Sequence, residues 1–208
     1  MKIVQPSAEL LWITPDAEQM IELAARTCYK SEDKIDVDSS TALIRKLVKS
    51  GHHAMLEHAS ASIRFVCDRG VANELVRHRL CAFAQESTRY VNYSSGKFGS
   101  EITVIQPPGL DVEVNTTRRE LWKDVCITAE ARYLDLIDDK VPPQIARSVL
   151  PTCLKTEIVC TTNLREWRHI FTLRLAKAAH PQIREVMVIA LDILKKECPV
   201  VFEDIKGE

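Results

Sequence analysis

Two arginines and a histidine stand directly before an apolar run in the segment RHRLCAFAQES, residues 77–87. A guanidinium group keeps its proton in proteins and only donates hydrogen bonds. Where such a group is buried, it therefore needs an anionic or carbonyl partner. A solvated basic surface would carry interleaved acids, and the Leu-Cys-Ala-Phe run after Arg79 carries none. The segment thus indicates either an anion-binding site or a buried ion pair.

A helical wheel over Val71–Leu80 assigns the residues of the RHR triplet to faces of a predicted helix. Arg79 falls inside the apolar arc, whereas His78 falls on the polar side. The structural interpretation pairs Arg79 with Glu57 or Asp68 in a buried ion pair. The functional interpretation gives Arg79 a bound anionic ligand. The wheel alone does not separate the two.

A second arginine lies on an apolar helix face further along the chain. Arg174 falls between Ile170 and Trp167 on the wheel of its helix. Arg165 and His169, which are four residues apart, point the opposite way. Two such misplaced arginines in one chain favour a polar pocket that binds a negatively charged ligand.

The start of that helix carries a capping box. Asn163 is followed three residues later by Glu166, the spacing at which the two side chains cap each other's backbone N–H groups. The pattern explains Asn163 without any ligand.

Three histidines and a glutamate crowd the segment GHHAMLEH, residues 51–58. His52, His53, Glu57 and His58 would be the ligands of a metal-dependent hydrolase, which is one alternative function. Their spacing matches neither HExxH nor another zinc signature. The sequence therefore favours polar contacts in a loop, and it predicts no metal.

Composition limits the classes of partner. Lys and Arg number 28 and Asp and Glu 29 in 208 residues, a formal net charge of −1. This balance argues against nucleic-acid binding, although a non-catalytic nucleotide- or RNA-binding module that uses the RHR segment is a second alternative. The seven cysteines are scattered without a Cys-x-x-Cys pair, which is typical of reduced thiols in a cytoplasmic protein. No signal peptide or membrane span is expected.

Helical and strand patterns are mixed along the chain. We predict one α+β domain over residues 1–208, with a central, mostly antiparallel sheet flanked by helices. The expected strands are 2–5, 59–67, 101–106 and 154–162, and the expected helices are 16–28, 39–50, 71–81, 115–139, 142–150, 163–178 and 181–197.

The spacing from the RHR triplet to Ser87 carries a family resemblance. Arg77-His78-Arg79, seven residues and then a serine resembles the RHR-x7-S signature of the flavin-dependent thymidylate synthases. The flanks ELVRHR and QESTRY resemble that family too. The resemblance continues in order through GHHAMLEH, PPQIARSVLP, TTNLREW and LRLAKAAHPQIR, and so covers most of the chain.

The resemblance implies a fold, an activity and its cofactors. Such enzymes are homotetramers with active sites between subunits. They methylate dUMP to dTMP, with methylenetetrahydrofolate as carbon donor, FAD as hydride carrier and NADPH as reductant. No enzyme nucleophile attacks the uracil. FAD is held without the Gly-rich Rossmann fingerprint, which this chain lacks.

The resemblance also implies roles for individual residues. Arg174 is the implied catalytic residue, which polarises the uracil, and Arg89 and Ser87 are implied to bind the dUMP phosphate. Ala54 stands where relatives often have a hydroxyl, and His180-Pro181 departs from the usual pattern. The implied dUMP-binding residues are Glu74, Arg77, Gln85, Glu86, Ser87, Arg89, Arg147 and Arg174. The implied FAD-binding residues are His52, Ala54, Arg77, His78, Arg79, Gln85, Asn163, Arg165 and His169.

Overall fold

The computed structural model describes residues 1–96, 99–110 and 116–207. The chain divides into two compact units. The first unit comprises Met1–Ser7, Val66–Arg77 and Ala84–Ile158, and the second comprises Ala8–Phe65, His78–Phe83 and Val159–Glu208.

Helices and strands are mixed, as the sequence predicts. The strands are β1 (Lys2–Val4), β2 (Ser7–Ile13), β3 (Ser60–Asp68), β4 (Ala82–Gln85), β5 (Thr103–Ile105) and β6 (Lys155–Asn163). The helices are α1 (Ala17–Thr27), α2 (Ser39–Lys49), α3 (Arg69–Leu75), α4 (Thr116–Asp138), α5 (Pro143–Ala146), α6 (Leu164–Arg174), α7 (Pro181–Glu197) and α8 (Pro199–Phe202), with 3₁₀ turns at Glu32–Lys34, His53–His58 and Arg147–Val149. In the described ranges, no helix combines the length and the apolar character needed to cross a membrane.

The larger sheet has four strands in the order β2-β3-β6-β4 and is antiparallel. β3 and β6 are the longest of the described strands, with nine residues each. Along β6 every second side chain is buried, which is the alternation of a half-buried strand. β1 and β5 form a separate parallel pair in the first unit, in which Lys2 lies opposite Thr103.

The core of the first unit is built around α4. Its buried residues include Tyr93 and Tyr133, whose ring centroids lie 5.8 Å apart. The expected helix 115–139 is confirmed over the described residues, because α4 begins at Thr116, while its predicted start at residue 115 lies outside them. Leu121 and Val125 of α4 are 65% and 64% exposed.

Aromatic side chains form the core of the second unit. Trp167 is fully buried, stacks on Phe171 with a centroid distance of 5.7 Å, and donates from Nε1 to the Ala61 carbonyl at 3.1 Å. Phe171 in turn contacts the ring of Phe202 at 5.7 Å. These contacts attach α6 to β3 and to the C-terminal helix α8.

Two helices end earlier than their periodicity predicts. α3 stops at Leu75 rather than at residue 81, because the backbone turns away and the Leu80 carbonyl accepts from Thr162 Oγ1 at 2.8 Å. The prediction that Arg79 lies on an apolar helix face is therefore wrong: Arg79 is exposed outside any helix. α6 ends at Arg174 rather than at 178, and His180 caps the next helix by accepting from the Gln182 N–H.

The Trp167 contacts make this side chain a test of the second unit. We expect Trp167→Phe to lower the free energy of unfolding by about 1–3 kcal/mol, because it leaves a cavity and removes the hydrogen bond to the Ala61 carbonyl. Urea titration followed by circular dichroism measures this. Trp12→Phe is the matched control, because Trp12 is 48% exposed, and its effect should stay within about 0.5 kcal/mol. Equal losses in the two variants would contradict the packing described.

Candidate functional site

His78, the middle residue of the RHR triplet, is buried in the second unit. Arg174 donates from Nε to His78 Nε2 at 2.9 Å. On its other side, His78 Nδ1 lies 3.7 Å from Glu166 Oε1. The ring of His169 meets that of His78 edge-on, with centroids 6.1 Å apart. The structure thus joins two residues that are 96 positions apart in the chain, His78 and Arg174.

Burial, together with the Arg174 and His169 side chains, keeps the His78 imidazole neutral. Burial, followed by the nearby Arg174 and His169 side chains, lowers the pKa of His78 from 6.5 to about 4. A guanidinium N–H can only donate, so Nε2 is the accepting nitrogen and the single ring proton sits on Nδ1. The carboxylate of Glu166 faces that proton.

The turn before α6 explains how Glu166 comes to face His78. Asn163 Oδ1 accepts from the Glu166 backbone N–H at 2.8 Å, so the Asn163 half of the predicted capping box is confirmed. The carboxylate of Glu166 is buried beside His78. The capping interpretation explained Glu166 as a helix-start residue and so missed this contact.

Two cavities of the second unit are lined by residues implied to bind the flavin. One, of about 680 Å³, is lined by His52, Ala54 and Arg165 together with apolar side chains of α1 and α2. The other, of about 710 Å³, is lined by Asn163, Arg165 and His169. His53 and Arg165 line both cavities, which therefore adjoin each other. Together the two cavities are lined by five of the residues implied to bind the flavin.

A third cavity, of about 510 Å³, lies in the first unit and has a cationic and polar lining. Arg147 is exposed there and donates from Nη1 to Thr88 Oγ1 at 3.0 Å. Arg69 also lines it, and its buried Nη1 has no hydrogen-bond partner within the described residues. Two guanidinium groups beside hydroxyls and amides suit a phosphate or another anion.

The segment after β4 carries the remaining nucleotide residues. The Glu86 carboxylate is held by Tyr93 Oη and by Lys155 Nζ, each at 3.1 Å. The backbone N–H of Arg89 donates to Ser87 Oγ at 3.3 Å, and the exposed guanidinium of Arg89 lies 5.4 Å from the ring centroid of its neighbour Tyr90. Glu86 is thus internally paired, whereas the Arg89 guanidinium is exposed to a ligand.

The expected site residues are distributed over both units, and two implied FAD residues, Arg77 and Gln85, lie in the first. Seven implied dUMP residues belong to the first unit: Glu74, Arg77, Gln85, Glu86, Ser87, Arg89 and Arg147. Arg174 and seven implied FAD residues belong to the second: His52, Ala54, His78, Arg79, Asn163, Arg165 and His169.

Two of the side chains named in the metal interpretation of residues 51–58 have other partners in the structure. The Glu57 carboxylate forms an ion pair with Arg165, and His53 Nε2 lies 3.2 Å from the Val48 carbonyl oxygen. Within the described part of the chain, the donor atoms that come within 4.8 Å of one another as a possible metal group are those of His78, Glu166 and His169.

Sequence reasoning missed three residues of these sites. Glu166 was explained by capping alone, Thr88 lies unremarked between Ser87 and Arg89, and Arg69 had no pattern that could single it out. Only the contacts of the fold identify them.

Comparison with known proteins identifies relatives over most of the chain. The family model described as thymidylate synthase complementing protein matches residues 9–200. A flavin-dependent thymidylate synthase of Geobacter sulfurreducens is 35% identical over 202 residues, covering 94% of this chain and 84% of that protein. One from Corynebacterium efficiens is 34% identical over 216 residues, covering 98% and 86%.

A solved structure shares the fold. The UMP/dUMP methylase PolB from Streptomyces cacaoi, bound with 5-Br dUMP, superposes with a TM-score of 0.82 at 25% identity and covers 98% of this chain and 96% of its own. The chain therefore belongs to the thymidylate synthase complementing protein family, that of the flavin-dependent thymidylate synthases.

Proposed function

We propose that this chain methylates dUMP to dTMP as a flavin-dependent thymidylate synthase. The observation that carries the proposal is the lining of the cavities. Five of the residues that the resemblance assigns to FAD line two adjoining cavities, and Arg147, assigned to dUMP, lines a polar cavity with Arg69. Family membership supports the same activity.

The second unit fits FAD by size and by chemistry. Its two cavities have volumes of about 680 and 710 Å³, and Arg165, exposed on the wall of both, can pair with a diphosphate. Leu43, Leu47 and Met55 supply apolar surface for a flat ring. His52, Asn163, Arg165 and His169 would hold the group. When bound, FAD supplies the hydride for the reductive step.

The first unit supplies the groups for dUMP. Arg89 and Arg147 would bind the phosphate, with the Ser87 hydroxyl beside Arg89. Arg69 also lines the cavity of Arg147, and its buried Nη1 has no hydrogen-bond partner among the described residues. Gln85, whose Nε2 donates to Thr156 Oγ1 at 3.3 Å, and Glu74 would border the nucleoside.

Arg174 would stabilise the charge that develops on the substrate. Reduction of the uracil ring places negative charge on a carbonyl oxygen, and a fixed guanidinium stabilises that charge better than mobile water does. The hydrogen bond to His78 holds Arg174 in one orientation before substrate arrives. The reaction needs no nucleophile from the protein, and four of the seven cysteines are buried.

The remaining features of the proposal follow the family. Methylenetetrahydrofolate would provide the carbon and NADPH the reducing equivalents. We further propose a homotetramer with active sites between subunits and one functional domain over residues 1–208.

Arg165 tests the flavin site. We expect Arg165→Ala to weaken FAD binding at least about tenfold, because it removes a cation that lines both cavities. Titration of FAD-free protein with FAD, followed by flavin fluorescence, measures the dissociation constant. Arg45→Ala is the matched control, because Arg45 forms a comparable exposed ion pair with Glu203. Similar FAD affinities in both variants would rule out Arg165 as a flavin contact.

Arg89 tests the nucleotide site. Arg89→Ala should raise the dissociation constant for dUMP about 10- to 100-fold, because a charge-assisted hydrogen bond to phosphate is lost. Binding of deoxyuridine, which lacks the phosphate, should not change. Calorimetric titration measures both ligands, with Arg132→Ala on the exposed side of α4 as control. An unchanged dUMP affinity would contradict the phosphate role.

Arg174 tests the chemical step. We expect Arg174→Ala to remain folded and to bind FAD, yet to form dTMP at least about 100-fold more slowly, because the charge on the substrate is no longer stabilised. Product chromatography and a thermal melt measure these properties. A variant that unfolds would indicate a structural role for this half-buried arginine, and a fully active variant would exclude the catalytic one.

A further inference from the structure

Glu166 occupies one end of a three-residue chain of contacts in the second unit. The Nε–H of Arg174 donates to His78 Nε2 at 2.9 Å, and Nδ1 of the same ring lies 3.7 Å from Glu166 Oε1. At 3.7 Å the second contact is electrostatic rather than a direct hydrogen bond. The imidazole thus stands between a guanidinium and a carboxylate.

The two ring nitrogens of His78 differ in protonation and therefore in hydrogen bonding. A neutral imidazole carries one proton, and only its unprotonated nitrogen accepts a hydrogen bond. The bond from Arg174 therefore exists only while the proton sits on Nδ1. A carboxylate facing Nδ1 stabilises that arrangement, because it attracts the N–H dipole and would repel an unprotonated nitrogen.

We infer that Glu166 is a positioning residue for Arg174 and that it acts through His78. The carboxylate holds the His78 proton on Nδ1, and Nε2 then keeps the Arg174 guanidinium in its orientation. The inference rests on the proposed function of Arg174. It assigns Glu166 a role that neither the helix cap nor the family motif gives it.

The surroundings of Glu166 suit this role. Its backbone N–H is fixed by Asn163 Oδ1 at 2.8 Å, and only 10% of its side chain is exposed, so its charge acts in a poorly solvated place. The groups that face His78 are Arg174, His169 and Glu166. Burial and the first two lower the His78 pKa to about 4, so the ring stays neutral near pH 7.

A metal ion is a poorer explanation for the same group. The trio His78, Glu166 and His169 offers three donor atoms within 4.8 Å of one another. However, Arg174 already donates to one His78 nitrogen, and its positive charge lies beside the position that a cation would take.

Nitrogen NMR of the full-length, FAD-free protein tests the inference directly. In the wild type, His78 should show a protonated Nδ1 and an unprotonated Nε2, and the Arg174 Nε–H should exchange slowly. In Glu166→Ala, signal from the Nε2–H form should appear and the exchange of the Arg174 Nε–H should become about tenfold faster. His78→Gln assigns the ring signals. An unchanged tautomer and unchanged exchange in folded Glu166→Ala would overturn the inference.

Kinetics supply a second readout. With dUMP as substrate, Glu166→Ala should lower kcat about tenfold or more, while KM for dUMP changes less than about threefold, because a misplaced Arg174 affects the transition state more than the ground state. Glu203→Ala, which removes an exposed carboxylate of the same unit, should leave both constants unchanged. A rise in KM with constant kcat would count against positioning.

Failure of Glu166→Ala to fold and failure of the proposed function can each be distinguished from failure of the inference. If Glu166→Ala fails to fold, the isosteric Glu166→Gln replaces it, and its Arg174 exchange should be faster than in the wild type, whereas wild-type exchange would overturn the inference. If the wild type forms no dTMP, the proposed function fails, and the NMR result alone still decides whether Glu166 holds His78 and Arg174.

Discussion

A single hydrogen bond, from the Arg174 guanidinium to the His78 imidazole, constrains the chemistry of the second unit. Because a guanidinium can only donate, His78 must be neutral and must carry its proton on Nδ1. A neutral ring agrees with the low pKa of His78, which burial, followed by the nearby Arg174 and His169 side chains, lowers to about 4. α3 ends at Leu75, and His78, in the non-helical segment that follows, contacts Arg174 at the end of α6.

The ligand sites depend on how short segments are held in each unit. In the second unit, the 3₁₀ turn His53–His58 and the start of α6 supply the cavity walls, and the Glu57–Arg165 ion pair connects them. In the first unit, the segment after β4 and the turn that contains Arg147 supply hydroxyls and guanidinium groups. Regular strands and helices form the cores, and the site residues lie in irregular segments and on the helix α6.

Much of this arrangement was predictable from the sequence, and the predictions that were wrong have physical causes. The RHR-x7-S spacing identified the family, and the periodicity of α7 and the alternation of β6 gave those elements almost to the residue. The wheel over Val71–Leu80 was wrong for Arg79, because it assumed a helix beyond Leu75. The carbonyl of Leu80 pairs with Thr162 instead, 82 residues away, and local periodicity contains no information about such a partner. Glu166 was missed for the opposite reason, because a local motif explained it completely.

The central claim is that dTMP formation depends on FAD held by this chain. The most direct measurement is one anaerobic turnover of FAD-loaded, NADPH-reduced protein mixed with dUMP and methylenetetrahydrofolate, followed by chromatography of the nucleotides. We expect one dTMP per bound FAD when both substrates are present, and none from protein stripped of FAD. Formation of dTMP by FAD-free protein would contradict the central claim.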